Sequence, residues 1–283
     1  MQFTSHYAPG VDALLMLALG EDIGTGDVTT QACVSPDAWI DARLLAREGL
    51  VLAGLPFFAR TFALLDPRVT VTAAAAEGAE VAAGTVVATV SGPAQSVLTG
   101  ERTALNLLQR LSGTATLTRR FVEAIAGLPA RIVDTRKTTP GMRYLEKYAV
   151  RMGGAANHRM TLDSGILIKD NHIVAAGGLT AAVERARAHA PHLLKVEVEV
   201  TTLALLEEAL VVHAEVIMLD NMSTAMMREA VARVRAVAPR TLVEASGGLS
   251  LGRVREVAET GVDLLSIGAL THSARGVDLS LEF

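Results

Sequence analysis

The sequence predicts a parallel β/α barrel with fewer strands than the usual eight, preceded by an α+β domain. Three observations carry that reading. From about residue 130, short apolar β-branched runs alternate with amphipathic helical stretches, the rhythm of a parallel sheet. Chemically capable polar residues follow each run, and chemistry spread over six successive strand ends favours a barrel over a doubly wound sheet with one switch point. Before residue 100, stretches such as residues 73–90 are Gly-punctuated and partly alternating, without crossover helices, which reads as antiparallel sheet.

Taken in order, the antiparallel region is followed by a long helical stretch from about Glu101 to Ala126, interrupted near Ser112-Gly113. The strand candidates are residues 131–134, 166–169, 196–200, 216–219, 241–244 and 264–267. Helical patterns lie between them at 179–190, 203–212, 224–237 and 251–260, with Thr180, Thr202, Ser223 and Ser250 as N-cap candidates. The domains are therefore 1–112 and 113–269, with 270–283 as a candidate return to the first.

Composition narrows the function. The 283 residues carry a net charge of −4 and are 50% hydrophobic, which excludes a disordered chain and argues against a general nucleic-acid binder. No apolar run is long enough for a membrane span, and Met1–His6 lacks a leader pattern, so a cytoplasmic enzyme is expected. Cys33, the single cysteine, excludes an internal disulfide and a Cys-based zinc site, and has no adjacent basic group to activate it. The charge is uneven: residues 131–172 hold eight basic and four acidic residues, an excess of +4. Of 26 cations only Lys137, Lys147, Lys169 and Lys195 are lysines, a hint that a compact ammonium is needed there.

The strand ends supply the chemistry. Ser246-Gly247-Gly248 and Ile267-Gly268-Ala269 are turns after the last two strands, where backbone N–H groups can approach a phosphate or simply make tight connections. Glu199 and Asp220 end neighbouring strands and can take ribose hydroxyls, hold Mg²⁺ or offset a developing positive charge; ion pairing with Lys195 or Lys169 is the plainer alternative. Glu197 has the same parity as Glu199, so either could reach solute. Arg136-Lys137 and His158-Arg159 each place a guanidinium beside a second basic group, which suits a dicarboxylate or a phosphate with a carboxylate. Arg143, Lys147 and Arg151 recur every four residues and read as a solvated helix face, while His172 is a base candidate or a structural hydrogen-bonder.

Several of these runs, in order and with compatible spacing over residues 21–270, closely resemble the quinolinate phosphoribosyltransferase family, also called nicotinate-nucleotide pyrophosphorylase (carboxylating). They are Glu101-Arg102-Thr103-Ala104-Leu105-Asn106, Asp134-Thr135-Arg136-Lys137-Thr138-Thr139-Pro140-Gly141, Asn157-His158-Arg159 and Leu167-Ile168-Lys169-Asp170-Asn171-His172. Glu21–Thr29, Glu199, Leu219-Asp220-Asn221 and Ser246-Gly247-Gly248 resemble other segments of that family. The resemblance implies an N-terminal α/β sandwich and an open α/β barrel of fewer than eight strands. It implies transfer of phosphoribosyl from phosphoribosyl pyrophosphate to quinolinate with loss of CO₂, giving nicotinate mononucleotide and pyrophosphate for NAD biosynthesis.

Carried over residue by residue, it places Arg102, Arg136, His158, Arg159 and Lys169 around quinolinate, with Thr135 beside them. Lys137, Lys169, Glu199 and Asp220 would surround ribose and pyrophosphate as the catalytic group, with Mg²⁺ at Glu199 and Asp220 directly or through substrate phosphates. Ser246, Gly247, Gly248, Ile267, Gly268 and Ala269 would receive the 5′-phosphate. The family pattern also implies a homodimer or larger homo-oligomer in which Arg102 reaches a neighbouring subunit's site. Thr161 and Ser164 depart from the family pattern, where Gly and Asp are expected, which leaves the loop under the pocket to be seen. A Schiff-base aldolase using Lys169, a phosphosugar sensor and a nicotinate-specific transferase are the competing classes.

Overall fold

The computed structural model describes residues 10–283; the Met1–His6 stretch read for a leader lies outside the described residues. Chain order begins α1 (Val11–Ile23), α2 (Val28–Cys33), β1 (Trp39–Ala46), β2 (Leu50–Val51), α3 (Leu55–Leu65), β3 (Thr70–Ala73), β4 (Glu80–Val81), β5 (Val86–Pro93) and α4 (Ala94–Ala124). It continues β6 (Arg131–Val133), α5 (Arg143–Met152), β7 (Ile166–Ile168), α6 (Asp170–Ala176), α7 (Leu179–His189), β8 (Val196–Val200), α8 (Leu203–Val211) and β9 (Val216–Asp220). It ends α9 (Thr224–Val237), β10 (Leu242–Ser246), α10 (Leu251–Ala258), β11 (Leu264–Ser266), α11 (Ala269–His272) and β12 (Leu279–Glu282). Two compact units result, one comprising the described residues up to Arg119 with Thr138–Gly154 and Ala269–Phe283, the other Arg120–Lys137 and Ala155–Gly268.

The first unit is built on an antiparallel sheet of order β12-β1-β5-β3, in which the C-terminal strand pairs with β1, Leu44 opposite Leu281. Its core gathers Leu44, Phe58, Phe62, Val90 and Leu108, all fully buried. Here α4 corrects one expectation: it runs unbroken through Ser112 and Gly113. Both residues serve close packing. Ser112 Oγ accepts from the Ala53 N–H at 3.1 Å, and a Cβ at Gly113 would collide with the carbonyl oxygen of Arg275. The solvated face expected at Arg143, Lys147 and Arg151 is a second correction. Leu145 to Val150 are all buried, Lys147 completely, and Arg143 and Arg151 are half-buried. Spacing of four marks a helical face, but says nothing about what covers it.

The second unit holds a six-stranded, wholly parallel sheet of order β6-β11-β10-β9-β8-β7, an open α/β barrel with β6 and β7 as edge strands. An isolated parallel bridge from Val133 to Ala156 lays the following segment along β6. Thr202 and Ser223 cap α8 and α9 as expected, accepting from Leu205 and Met226 N–H groups. Ser250 occupies the N-cap of α10 without a side-chain cap bond. Thr180 lies inside α7 behind Gly178, and its hydroxyl donates to Glu208 Oε1 instead.

Gly113→Ala should lower thermal stability by about 3 kcal/mol, because the obstructing atom is backbone and cannot swing aside. Gly252→Ala in α10, where a Cβ meets nothing within 4 Å, should be neutral or slightly stabilising. Paired thermal melts check both.

Candidate active site

Parallel strands point alternate side chains into a barrel, so residues two apart stack in layers along its axis. In the second unit the register pairs Glu197 with Val216, Met218 with both Glu199 and Glu244, Leu264 with Glu244, and Ser246 with Asp220; Glu199, Asp220 and Ser246 open onto the C-terminal rim, Val216, Leu264 and Glu197 onto the opposite side, and Glu244 onto both. A cavity of about 590 Å³ opens at this rim, lined by Thr135, Arg136, Lys137, His158, Arg159, Leu167, Lys169, Glu199, Asp220, Asn221 and Ser246-Gly247-Gly248, with Met218, Glu244 and Ser266 beneath. A second hollow of about 460 Å³ lies at the opposite strand ends, beside Arg131, Leu193 and Lys195.

The segment after Ala156 carries His158 and Arg159 into the cavity. The buried Asp134 carboxyl group, just past β6, accepts the His158 backbone N–H at 2.8 Å and Asn157 Nδ2 at 2.7 Å. The ring of His158 is then gripped at both nitrogens. Its Nδ1 lies 2.8 Å from the Arg159 N–H, which makes Nδ1 the acceptor and assigns the proton to Nε2, 3.1 Å from Glu197 Oε2. Arg159 anchors one guanidinium nitrogen on the Gly165 carbonyl at 2.8 Å. Its pKa is pushed down by burial and by the charge of Arg136, with Glu197 opposing. Two guanidiniums repelling each other across a cavity favour an anion between them. The Thr161–Ser164 departure forms a self-contained exposed turn, with the Thr161 N–H on Ser164 Oγ at 3.3 Å and the Thr161 hydroxyl on Asp163.

Across the rim, Lys169 Nζ donates to Glu199 Oε2 at 2.9 Å, so of the two lysines weighed as partners Lys169 forms the ion pair. His172 is drawn into the first turn of α6, where its Nδ1 accepts the Lys169 N–H at 2.9 Å, a capping role. Asp220 Oδ2 accepts Asn221 Nδ2 at 2.8 Å, and Asn221, at φ 53°, donates its N–H to the Ser246 carbonyl. Gly247 must be glycine: its φ is 91° and a Cβ would strike Asn221 Oδ1. Among the described residues, the Gly247 and Gly248 N–H groups take no acceptor within the chain, which suits a phosphate.

Four expected site residues stand apart. Arg102 is exposed on α4 in the first unit. Ile267 is buried with its N–H on the Val133 carbonyl at 2.9 Å, and Gly268 and Ala269 are likewise not among the cavity-lining residues. Glu244 is the residue that sequence reasoning missed. The sequence marks it only as part of a strand, although its parity with Ser246 places both on the inward face. Burial and the charge of Glu197 push its pKa up to about 7, with His158 opposing. Among the described residues, Glu244, Glu197 and His158 are the group whose ligand atoms lie within 4.8 Å of one another, and the Nε2 proton of His158 occupies part of that space.

Family models for the quinolinate phosphoribosyl transferase N-terminal and C-terminal domains match residues 27–112 and 114–282. A Synechocystis protein described as a probable nicotinate-nucleotide pyrophosphorylase [carboxylating] is 49% identical over 272 residues, covering 96% of this chain and 92% of that protein. A Bacillus subtilis protein of the same description is 43% identical over 93% of this chain and 89% of its own length. The solved structure of NadC from Streptococcus pyogenes is 40% identical and superposes with a TM-score of 0.93 over 100% of this chain and 98% of that one.

The elevated Glu244 pKa has a defined consequence for stability. Between about pH 4.5, the ordinary carboxyl value, and about pH 7, the native state holds a proton that the unfolded chain releases, so stability falls as pH rises through that window. The loss attributable to Glu244 should be on the order of 3 kcal/mol at most. Denaturant unfolding at pH 5 to 8 should show this slope in the native protein and a flatter one in Glu244→Gln.

Proposed function

The chain belongs to the quinolinate phosphoribosyltransferase family, and on that premise we propose how its side chains divide the work of the reaction. It joins quinolinate to phosphoribosyl pyrophosphate with decarboxylation, yielding nicotinate mononucleotide and pyrophosphate for NAD biosynthesis. The observation that carries the assignment of roles is the polarity of the rim cavity. Arg136, Lys137, Arg159 and Lys169 belong to β6, β7 and the segments that follow them, while Glu199 and Asp220 end β8 and β9.

Quinolinate sits on the cationic side. The Arg136 and Arg159 guanidiniums, with His158 between the chain and the barrel floor, grip its carboxylates and aim the ring nitrogen at the ribose. The 5′-phosphate rests against the Ser246-Gly247-Gly248 turn. As the bond from ribose C1 to pyrophosphate lengthens, positive charge grows on the sugar, which Glu199 and Asp220 offset, and negative charge grows on the leaving group, which Lys137 and Lys169 offset. The Lys169–Glu199 ion pair holds both groups at the rim before substrate arrives. Once joined to ribose, the ring nitrogen is cationic and stabilises the electron pair left at C2 when CO₂ departs, so no covalent enzyme intermediate is needed.

Glu199 and Asp220 also fit a hard divalent cation. They are carboxylate donors on adjacent strands, and each uses only one oxygen within the chain, on Lys169 and Asn221. Mg²⁺ held there, directly or through substrate phosphates, would neutralise charge on the pyrophosphate. The exposed Arg102 suits a contact with a second subunit, making a cytoplasmic homodimer the smallest working assembly in this reading. No described helix is long and apolar enough to cross a membrane.

Incubation with quinolinate, phosphoribosyl pyrophosphate and Mg²⁺ should release CO₂ and nicotinate mononucleotide; absence of both products would refute the reaction. Arg136→Ala should raise the quinolinate KM at least tenfold and leave the phosphoribosyl pyrophosphate KM nearly unchanged. Equal losses for both substrates would remove Arg136 from the dicarboxylate pocket. Lys169→Ala should cut kcat by about 10² or more, since the lost charge acts on the leaving group, and near-normal turnover would exclude that role.

A further inference from the structure

The middle of the barrel carries groups that the reaction above does not use. A parallel barrel fills this layer with branched apolar side chains, whereas here Glu197 and Glu244 face the axis with side chains 10% and 1% exposed. Two buried carboxyl groups without enough donors are strongly unfavourable. His158 offers them one hydrogen. Its Nδ1 is taken by the Arg159 N–H, and its Nε2 hydrogen goes to Glu197 Oε2 at 3.1 Å, leaving Glu244 Oε1 at 3.8 Å, beyond hydrogen-bonding range. Both Glu197 Oε1 and Glu244 Oε1 are buried with no hydrogen-bond partner. Two acids with one imidazole hydrogen and the Ser266 hydroxyl beside them, both still with an unpartnered oxygen, are completed most simply by a proton on one of them.

Resting on the reading of the site given above, we propose that Glu244 is a positioning residue for the dicarboxylate pocket, a protonated carboxylic acid that leaves Glu197 as the single negative charge under His158 and Arg159. The groups packed on Glu244 assign the proton to it. Burial and Glu197 of β8 disfavour its ionised form and outweigh the two groups that favour it, His158 from the bridging segment and the Ser266 hydroxyl of β11, while β9 contributes the uncharged Met218. Glu244 is the more buried of the two acids, so its ionised form is the harder to accommodate. The charge on Glu197 works usefully upward: it favours the Arg159 guanidinium against burial and against Arg136. A second negative charge at Glu244 would lie beneath the place where a dianion must bind, and would compete with that dianion for the same two arginines.

The test uses the full-length protein with Mg²⁺ and both substrates. Glu244→Gln keeps the shape and neutrality of the protonated acid, so at pH 6.5 its quinolinate KM should stay within about twofold of the native value. The native quinolinate KM should climb between pH 6.5 and 8 as Glu244 ionises, and the Gln variant should lack that climb. Glu244→Ala should raise the quinolinate KM about tenfold while the phosphoribosyl pyrophosphate KM stays constant. An infrared difference spectrum between pH 6 and 8 should show a protonated-carboxyl band in the native protein that Glu244→Gln removes. A Gln variant as impaired as Ala, an unchanged pH profile, equal effects on both substrates, or no such band would each overturn the role of Glu244 while leaving the reaction standing. Native protein that forms no nicotinate mononucleotide would overturn the reaction itself, and the infrared band would still report whether Glu244 holds a proton.

Discussion

The buried carboxyl group of Asp134 is the anchor on which the rest of the site depends. A six-stranded parallel sheet leaves two edges, and β6 ends after only three residues. What extends it is the segment after Gly154, held by the Val133–Ala156 bridge and by two donors on Asp134, the Asn157 amide and the His158 N–H. Those bonds serve a carboxyl group with no exposure to solvent, and they also fix where His158 and Arg159 leave the backbone. From there the chain of dependence runs inward, through the His158 ring to Glu197, and outward, through Arg159 to the cavity and the Gly165 carbonyl. A loosened Asp134 would move both cations of the segment together.

Much of this was legible in the sequence because a parallel barrel separates structural from chemical residues along each strand. The β-branched runs were long enough to announce themselves, and the polar residues that follow them fall on the rim, where every loop converges. Eleven of the expected residues, from Thr135 to Gly248, meet in one cavity for that reason. Parity identified the inward face of β8, but it carries no depth, so Glu197 and Glu199 could not be ranked. Depth comes from register between strands, which sets Val216 opposite Glu197 and Met218 opposite Glu199.

The remaining differences share a cause: local spacing is silent about what a neighbouring element covers. Gly113 reads as a helix breaker, yet α4 continues because the glycine admits the Arg275 backbone. Lys147 reads as a solvated cation, yet α5 is buried on nearly all sides, and its neighbour Glu146 is satisfied by Arg110 and by Thr139 at 2.7 to 3.0 Å. Thr180 reads as a cap, yet Gly178 begins the helix and Glu208 takes the threonine's hydroxyl.

The same lesson alters what the charge excess over residues 131–172 means. Of its eight cations only Arg136, Lys137, Arg159 and Lys169 line the rim cavity; Arg131 lies at the other end of the barrel, and Arg143, Lys147 and Arg151 belong to α5 in the first unit. The excess is therefore not the field inside the cavity. That field is an ordered asymmetry: cations that follow β6 and β7, the two edges of the open sheet, and carboxylates on β8 and β9. Proteins place opposite charges across a site at the cost of their mutual attraction, and here Lys169 and Glu199 do pair. In the proposed reaction that pairing would keep the two groups aligned at the line where a sugar gaining positive charge parts from an anion, with the field in place before the bond breaks. A uniform basic pocket would hold both substrates more tightly, but it would oppose the charge that grows on the sugar.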